Sequence, residues 1–150
     1  MTDLSSFTRL VPLDQGLCVL STAPEDGSIH SCVVNGGVLS HPLTGAEVVG
    51  LVAAGGTRKL RNLRADPRAT IVVRAGWEWA GVEGPAEIIG PDDPHRDVDA
   101  ESLRLLLRDI FRAAGGVHDD WDTYDKVMAE ERRAAVFISP RRSYGNAQKS

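Results

Sequence analysis

The segment Gly55-Gly56-Thr57-Arg58-Lys59 has the makings of an anion site. Two glycines let backbone come close to a ligand, and free N–H groups at a helix start point outward toward it. Thr57, Arg58 and Lys59 add a hydroxyl and two cations, which together suit a phosphate. The same residues also describe an ordinary loop with an ordinary helix cap. They do not form a Walker loop, because no G-x-x-x-x-G-K-S/T spacing occurs, and residues 81–84 are not a dinucleotide fingerprint.

Other reactive types are scattered. His30, His41, His95 and His118 show no H-x-x-x-H or H-E-x-x-H spacing, so no metal site is signalled, and His118-Asp119-Asp120 reads as an acidic loop. Ser21, Ser28 and Ser31 lack a G-x-S-x-G context. Cys18 and Cys32 lie in apolar, strand-like runs with no base nearby in sequence, which favours buried free thiols. Trp77 and Trp79 share one face of a strand, where they could flank a flat ring, although packing is the commoner role. Arg132, Arg133, Arg141 and Arg142 could reach an anionic tail; a solvated helix end is the default for them, and the first two suit a helix C-terminus. No side chain stands out as a catalytic acid, base or nucleophile, so any reaction here falls to a cofactor.

A chain of 150 residues with 42% hydrophobic and 25% charged residues fits one domain over 1–150. The net charge of −4 argues against a general nucleic-acid or acidic-membrane binder. Its distribution is uneven: from 57 to 74 the chain carries Arg58, Lys59, Arg61, Arg64, Arg68 and Arg74 against Asp66, whereas acids predominate from 83 to 131. A local basic site on an acidic protein suits a small anionic ligand. No apolar run approaches the ~20 residues of a membrane span, and no signal pattern opens the chain, so a cytoplasmic location without a membrane partner is expected.

The elements that must position these residues follow from periodicity. Leu4, Phe7, Leu10 and Val11 predict a short helix within residues 3–13. Residues 17–23 and 28–35 predict two antiparallel strands joined through Asp26-Gly27. Residues 36–46, with Gly36-Gly37, His41-Pro42 and Thr44-Gly45, are expected to turn before a third strand at 47–54. A helix capped by Thr57 should run until Asp66-Pro67. Strands follow at 69–74 and 77–89, the second with Gly81, Gly84 and Pro85 that suggest a bulge or a sheet edge. Leu103, Leu106, Leu107, Ile110 and Phe111 mark an amphipathic helix ended by Gly115-Gly116; a helix at 121–132, a strand at 134–139 and a polar tail complete the chain. This is a mainly β fold with peripheral helices, built as a small antiparallel barrel. The strand at 28–35 is apolar on both faces, so a second copy covering it, a C2 homodimer, is expected.

The order of these motifs resembles the split β-barrel flavin and deazaflavin oxidoreductases, which include pyridoxamine-phosphate oxidase relatives and actinobacterial enzymes that use coenzyme F420. The resemblance rests on Leu20-Ser21-Thr22, Asp26-Gly27 and His30-Ser31, then on Thr57-Arg58-Lys59-Leu60-Arg61-Asn62-Leu63 with Asp66-Pro67-Arg68. It continues through Trp79, Val82, Glu83-Gly84 and Ala86 to Tyr124 and Val127-Met128-Ala129-Glu130-Glu131-Arg132-Arg133. It implies a six-stranded antiparallel split barrel working as a homodimer. It implies that Gly55, Gly56, Thr57, Arg58 and Lys59 grip the cofactor phosphate, that Ser31, Val33 and Asn35 lie along the ring system with Trp79 nearby, and that a partner subunit completes the pocket. The implied cofactor is F420, the alternative FMN, passing a hydride or electrons to a planar unsaturated organic acceptor of quinone, enone or tetrapyrrole type. A basic path from Arg58, Lys59, Arg61, Arg64 and Arg74 would suit the acidic tail of F420. A binder that carries a flavin, a deazaflavin or haem without turnover is the other reading. The chain lacks a basic substrate-phosphate cluster near its C-terminus, so pyridoxine phosphate is not an expected substrate.

Overall fold

Residues 3–147 are described by the computed structural model; residues 1, 2 and 148–150 of the expected 1–150 domain lie outside it. The strands are β1 (Leu17–Thr22), β2 (His30–Ser40), β3 (Glu47–Ala53), β4 (Arg68–Ala75), β5 (Glu78–Ile89), β6 (Ala134–Ile138) and β7 (Arg142–Gly145). Four helices accompany them: α1 (Ser5–Leu10), α2 (Arg58–Ala65), α3 (Ala100–Ala113) and α4 (Trp121–Glu130). All pairings are antiparallel, in the order β4-β1-β2-β3-β6-β5, and β5 pairs back onto β4 to close a six-stranded barrel. The two longest strands are shared between halves, which splits the barrel. β2 gives residues 30–35 to β1 and 36–40 to β3; β5 gives 78–85 to β4 and 86–89 to β6.

Glycine and proline mark the places where those strands change partner. Of the segment 36–46 expected to turn, only 41–46 does so, because β2 runs straight through Gly36 and Gly37. A Cβ on Gly37 would stand 2.2 Å from the carbonyl oxygen of Ala113, so this glycine lets the end of α3 lie on the strand. His41 shapes the true turn: its Nδ1 accepts the N–H groups of Leu43 and Thr44 at 3.2 and 3.3 Å, and Nε2 donates to Glu87 at 2.8 Å. In β5, Pro85 falls at the handover from β4 to β6, and a Cβ on Gly84 would meet the Ser139 carbonyl oxygen at 1.8 Å. Gly84 and Pro85 therefore sit inside the barrel wall rather than at an edge.

Two other expectations change. The opening helix stops at Leu10 and tightens into a 3₁₀ turn over Val11–Asp14, with Pro12 in its first turn. The supposed polar tail forms β7, which pairs with β5 through Gly81↔Tyr144 and Glu83↔Arg142 and prolongs the line of β6.

Leu20, Ile71, Val82, Leu51 and Val136 fill the barrel, which α1 plugs with Phe7 and Leu10 and α2 with Leu60 and Leu63. Leu106, Leu107 and Ile110 of α3 cover the outer face of the β3–β6 half through Val48, Ile89, Ala135 and Phe137. Full burial of each such aliphatic side chain stabilises by about 1.5–3 kcal/mol. No described element covers the outer face of the β1–β2 half, where Val19 is 44% and Val33 66% exposed.

Candidate functional site

A groove of about 630 Å³ runs between β2, the start of α2 and the α3–α4 hairpin. Val33 and Asn35 form its floor because odd-numbered residues of β2 face outward while Val34 belongs to the core. Asn35 is oriented by the bond from its side-chain N–H to the Gln15 carbonyl oxygen, 2.9 Å. Val52, Ile110, Phe111 and Met128 supply an apolar wall, Tyr124 a ring with a hydroxyl, and Lys59 and Arg133 the cations.

The α4 wall is held by polar bonds more than by burial, since Tyr124 is its one buried residue. Asp120 caps α4 by accepting from Thr123 at 3.1 Å. The Tyr124 hydroxyl donates to the Leu107 carbonyl oxygen at 3.1 Å, and its burial pushes its pKa up to about 12, so it is a neutral donor at neutral pH. Asp125 accepts from Arg108 at 2.9 and 2.5 Å and from Arg104 at 2.7 Å; these bonds, that of Arg108 foremost, hold its carboxyl below the usual range. Phe111, His118, Trp121 and Tyr124 stack edge to face behind the groove, with Arg112 over the Trp121 ring at 4.5 Å.

The helix start is open to an anion. Thr57 is the N-cap residue, yet its hydroxyl donates backward to the Ala54 carbonyl oxygen at 2.9 Å and caps nothing. The first N–H groups of α2 thus lack a side-chain cap, beside Lys59. Gly56 adopts φ +74° with open space around the position of a Cβ. Gly55 serves the fold: its N–H donates to the Glu131 carbonyl oxygen at 2.9 Å, and a Cβ there would stand 2.8 Å from that of Arg132. A phosphate fits this cradle. On β2, moreover, the buried Nδ1 of His30 has no partner among the described residues.

Of the residues expected at the site, Val33, Asn35 and Lys59 meet in the groove, and Gly55, Gly56 and Thr57 lead into it. Arg58 is exposed and acts electrostatically on Asp26 of the β1–β2 turn. Ser31 shares its hydroxyl with Ser21 at 2.9 Å on the bare outer face. Trp79 is on β5, three strands from β2 and hence about 14 Å away; it packs edge-on against Tyr144 with ring centroids 6.0 Å apart. The anticipated basic path is broken up, because Arg64 is bound to Asp93 at 2.9 and 2.5 Å and Arg74 to the Gly76 carbonyl oxygen at 2.9 Å. Arg58, Lys59 and Arg61 remain around the helix start. Both cysteines are free thiols, and burial pushes Cys18 up to about 12. No group of three metal-ligating side chains occurs among the described residues, and no helix there is long and apolar enough to cross a membrane.

Gln15, Phe111, Tyr124, Met128 and Arg133 also line the groove. Tyr124 and Met128 sit four apart on one helical face, a pattern that marks a packed helix without saying what it packs on.

Known proteins share this architecture. The model of the family described as pyridoxamine 5′-phosphate oxidase matches residues 8–120. A conserved hypothetical protein of Mycobacterium tuberculosis is similar at 20% identity and a TM-score of 0.66, over 98% of this chain and 86% of that one. An F420 reductase is similar at 16% identity and 0.60, over 91% and 94% of the two chains. A pyridoxamine 5′-phosphate oxidase-related, FMN-binding protein of Nostoc punctiforme is similar at 14% identity and 0.57, over 84% and 71%. At such identities the likeness is one of fold.

Proposed function

The chain belongs to the pyridoxamine 5′-phosphate oxidase family, and from that premise we propose that it is an oxidoreductase using coenzyme F420, with FMN as the alternative. The observation that carries this reading is the convergence of Val33, Asn35 and Lys59 on one groove beside an uncapped helix start. When bound, the cofactor supplies a hydride or electrons to a planar unsaturated acceptor of quinone, enone or tetrapyrrole type. Lys59 and the first N–H groups of α2 hold the phosphate, and Gly56 lets it approach. Val33 supports the ring, Asn35 offers a polar contact fixed by Gln15, and the Phe111–Met128 wall keeps water away. Arg58 and Arg61, exposed at the helix start, suit the acidic tail that F420 has and FMN lacks; with an F420 reductase among the similar folds, this favours F420.

The protein works as a homodimer in the cytoplasm, with no nucleic-acid or membrane partner. Val33, Val19 and Val72 form an apolar row across β2, β1 and β4, flanked by Ser31, Ser21 and Thr70, and a second copy removes it from water.

Titration of apoprotein with F420 and with FMN, followed by tryptophan emission, tests the reading. Saturable binding that Lys59→Gln weakens is expected, with F420 preferred. Equal binding by Lys59→Gln, or no binding of either cofactor, overturns it.

A further inference from the structure

Spacing leaves Arg133 between a solvated helix end, the default, and reach to an anionic tail; its side chain lines the groove with Lys59. We propose that Arg133 is the second cation for the cofactor phosphate, so that the phosphate is clamped between the start of α2 and the end of α4. This rests on the groove being the cofactor site.

Local geometry turns Arg133 inward. Arg132 takes a left-handed conformation, φ +51°, and the Arg133 N–H donates back to the Met128 carbonyl oxygen at 2.9 Å. The chain thereby reverses at the end of α4 and leaves Arg133 among Met128 and Tyr124 on the groove wall. Its charge reaches the Tyr124 hydroxyl, where it acts to lower a pKa that burial raises.

The clamp is tied to the phosphate loop. The Gly55 N–H bonds the Glu131 carbonyl oxygen at 2.9 Å, and the missing Cβ of Gly55 allows Arg132 to pack against it. Four residues after Gly55 comes Lys59, and two after Glu131 comes Arg133, so one contact sets the two cations relative to each other. Of the alternatives, Arg132 pairs with Asp92, and Arg58 is exposed, outside the groove lining. In the protein alone Arg133 pairs with Glu131 at 2.8 Å, the two side chains being 30% and 45% exposed. A pair so open to water is weak and yields to a phosphate that accepts charge-assisted bonds from two cations.

Affinities for F420 and FMN, each beside its phosphate-free form (the ribityl deazaflavin, which lacks the acidic tail as well, and riboflavin, which lacks the phosphate alone), decide the matter for the unaltered protein, Arg133→Gln, Arg133→Lys and Glu131→Gln, the riboflavin pair isolating the phosphate. Loss of one charge-assisted bond predicts about tenfold weaker binding of the phosphorylated cofactor by Arg133→Gln, with the phosphate-free form unaffected. Arg133→Lys should recover part of the loss, and Glu131→Gln should bind about two- to threefold tighter because a competing carboxylate is gone. Unchanged binding by Arg133→Gln while Lys59→Gln is weakened overturns the clamp alone. Equal losses for phosphorylated and phosphate-free forms overturn it too, marking Arg133 as structural support. Failure of the unaltered protein to bind either cofactor overturns the cofactor reading and the clamp with it.

Discussion

Replacement of Gly37 by alanine probes the contact that sets the groove's height. The new Cβ would lie 2.2, 2.3 and 2.6 Å from the Ala113 oxygen, the Ala113 carbonyl carbon and the Ala114 nitrogen. Carbon atoms in contact sit about 3.5–4.0 Å apart, so the end of α3 must retreat by about 1.2 Å or more. All three neighbours are backbone, and α3 is pinned by Leu106, Leu107 and Ile110, so no flexible tip absorbs the strain. Overpacking of this kind costs about 1–3 kcal/mol. Against it stands the reduced entropy of the unfolded chain, worth about 0.4–1 kcal/mol, which alanine gains because Gly37 is not among the positive-φ glycines. The difference of the two ranges runs from about 0 to about 2.6 kcal/mol, and its midpoint of ~1.3 kcal/mol lowers Tm by roughly 3–5 °C in a domain of this size. Gly36→Ala is the comparison: its Cβ meets the tip of Ile71 at 3.1 Å, a side chain able to give way, so its loss should be smaller. Calorimetric melts of the three proteins check both. A Tm for Gly37→Ala at or above that of the unaltered protein would refute the close approach of β2 and α3. Because Ala114, Gly115 and Gly116 line the groove, the same variant should also bind cofactor more weakly.

Val33→Asp should leave the melting of a dilute monomer within about 0.5 kcal/mol, since the side chain is exposed, but abolish the dimer; an unchanged sedimentation profile contradicts the proposed interface. Asp125→Ala removes the charged bonds from Arg104 and Arg108 of α3 to α4 and should cost about 1.5–3 kcal/mol at neutral pH, read by denaturant unfolding. Because the Asp125 carboxyl is depressed in the fold, its contribution is present above the ordinary carboxylate pKa near ~4 and is lost as pH falls through the lower folded value. The gap between Asp125→Ala and the unaltered protein should therefore close below about pH 4, and a gap that persists in acid removes the charge-based explanation. Alkylation at pH 8 followed by mass spectrometry should label Cys32 before Cys18, whose thiol is buried and shifted up to about 12; the reverse order contradicts the placement of Cys18 in the core.

Much of the barrel was legible in the chain because alternation and turn chemistry are local. Asp26-Gly27 turns the first hairpin, Asp66-Pro67 stops α2, and the spacing of Leu103, Leu106, Leu107 and Ile110 gives α3. The motif at 55–59 likewise marked where α2 begins, at Arg58. Local pattern could not tell a glycine that turns the chain from one that makes room for a distant segment. Gly37, within the segment expected to turn, and Gly55 both make such room, because Ala113 and Arg132 reach them only in the folded molecule. The fate of each cation was equally non-local. Arg58, Arg64 and Lys59 belong to one short stretch of sequence, but helix rotation and the loop carrying Asp93 commit Arg64 to an ion pair, leave Arg58 exposed and give Lys59 to the groove. The sequence by itself determined the strand set, the helices and the phosphate-friendly helix start, since each depends on residues a few positions apart. The tertiary structure decided which side chains meet across the groove, because Lys59 and Arg133 share a wall only once α4 packs its end against Gly55.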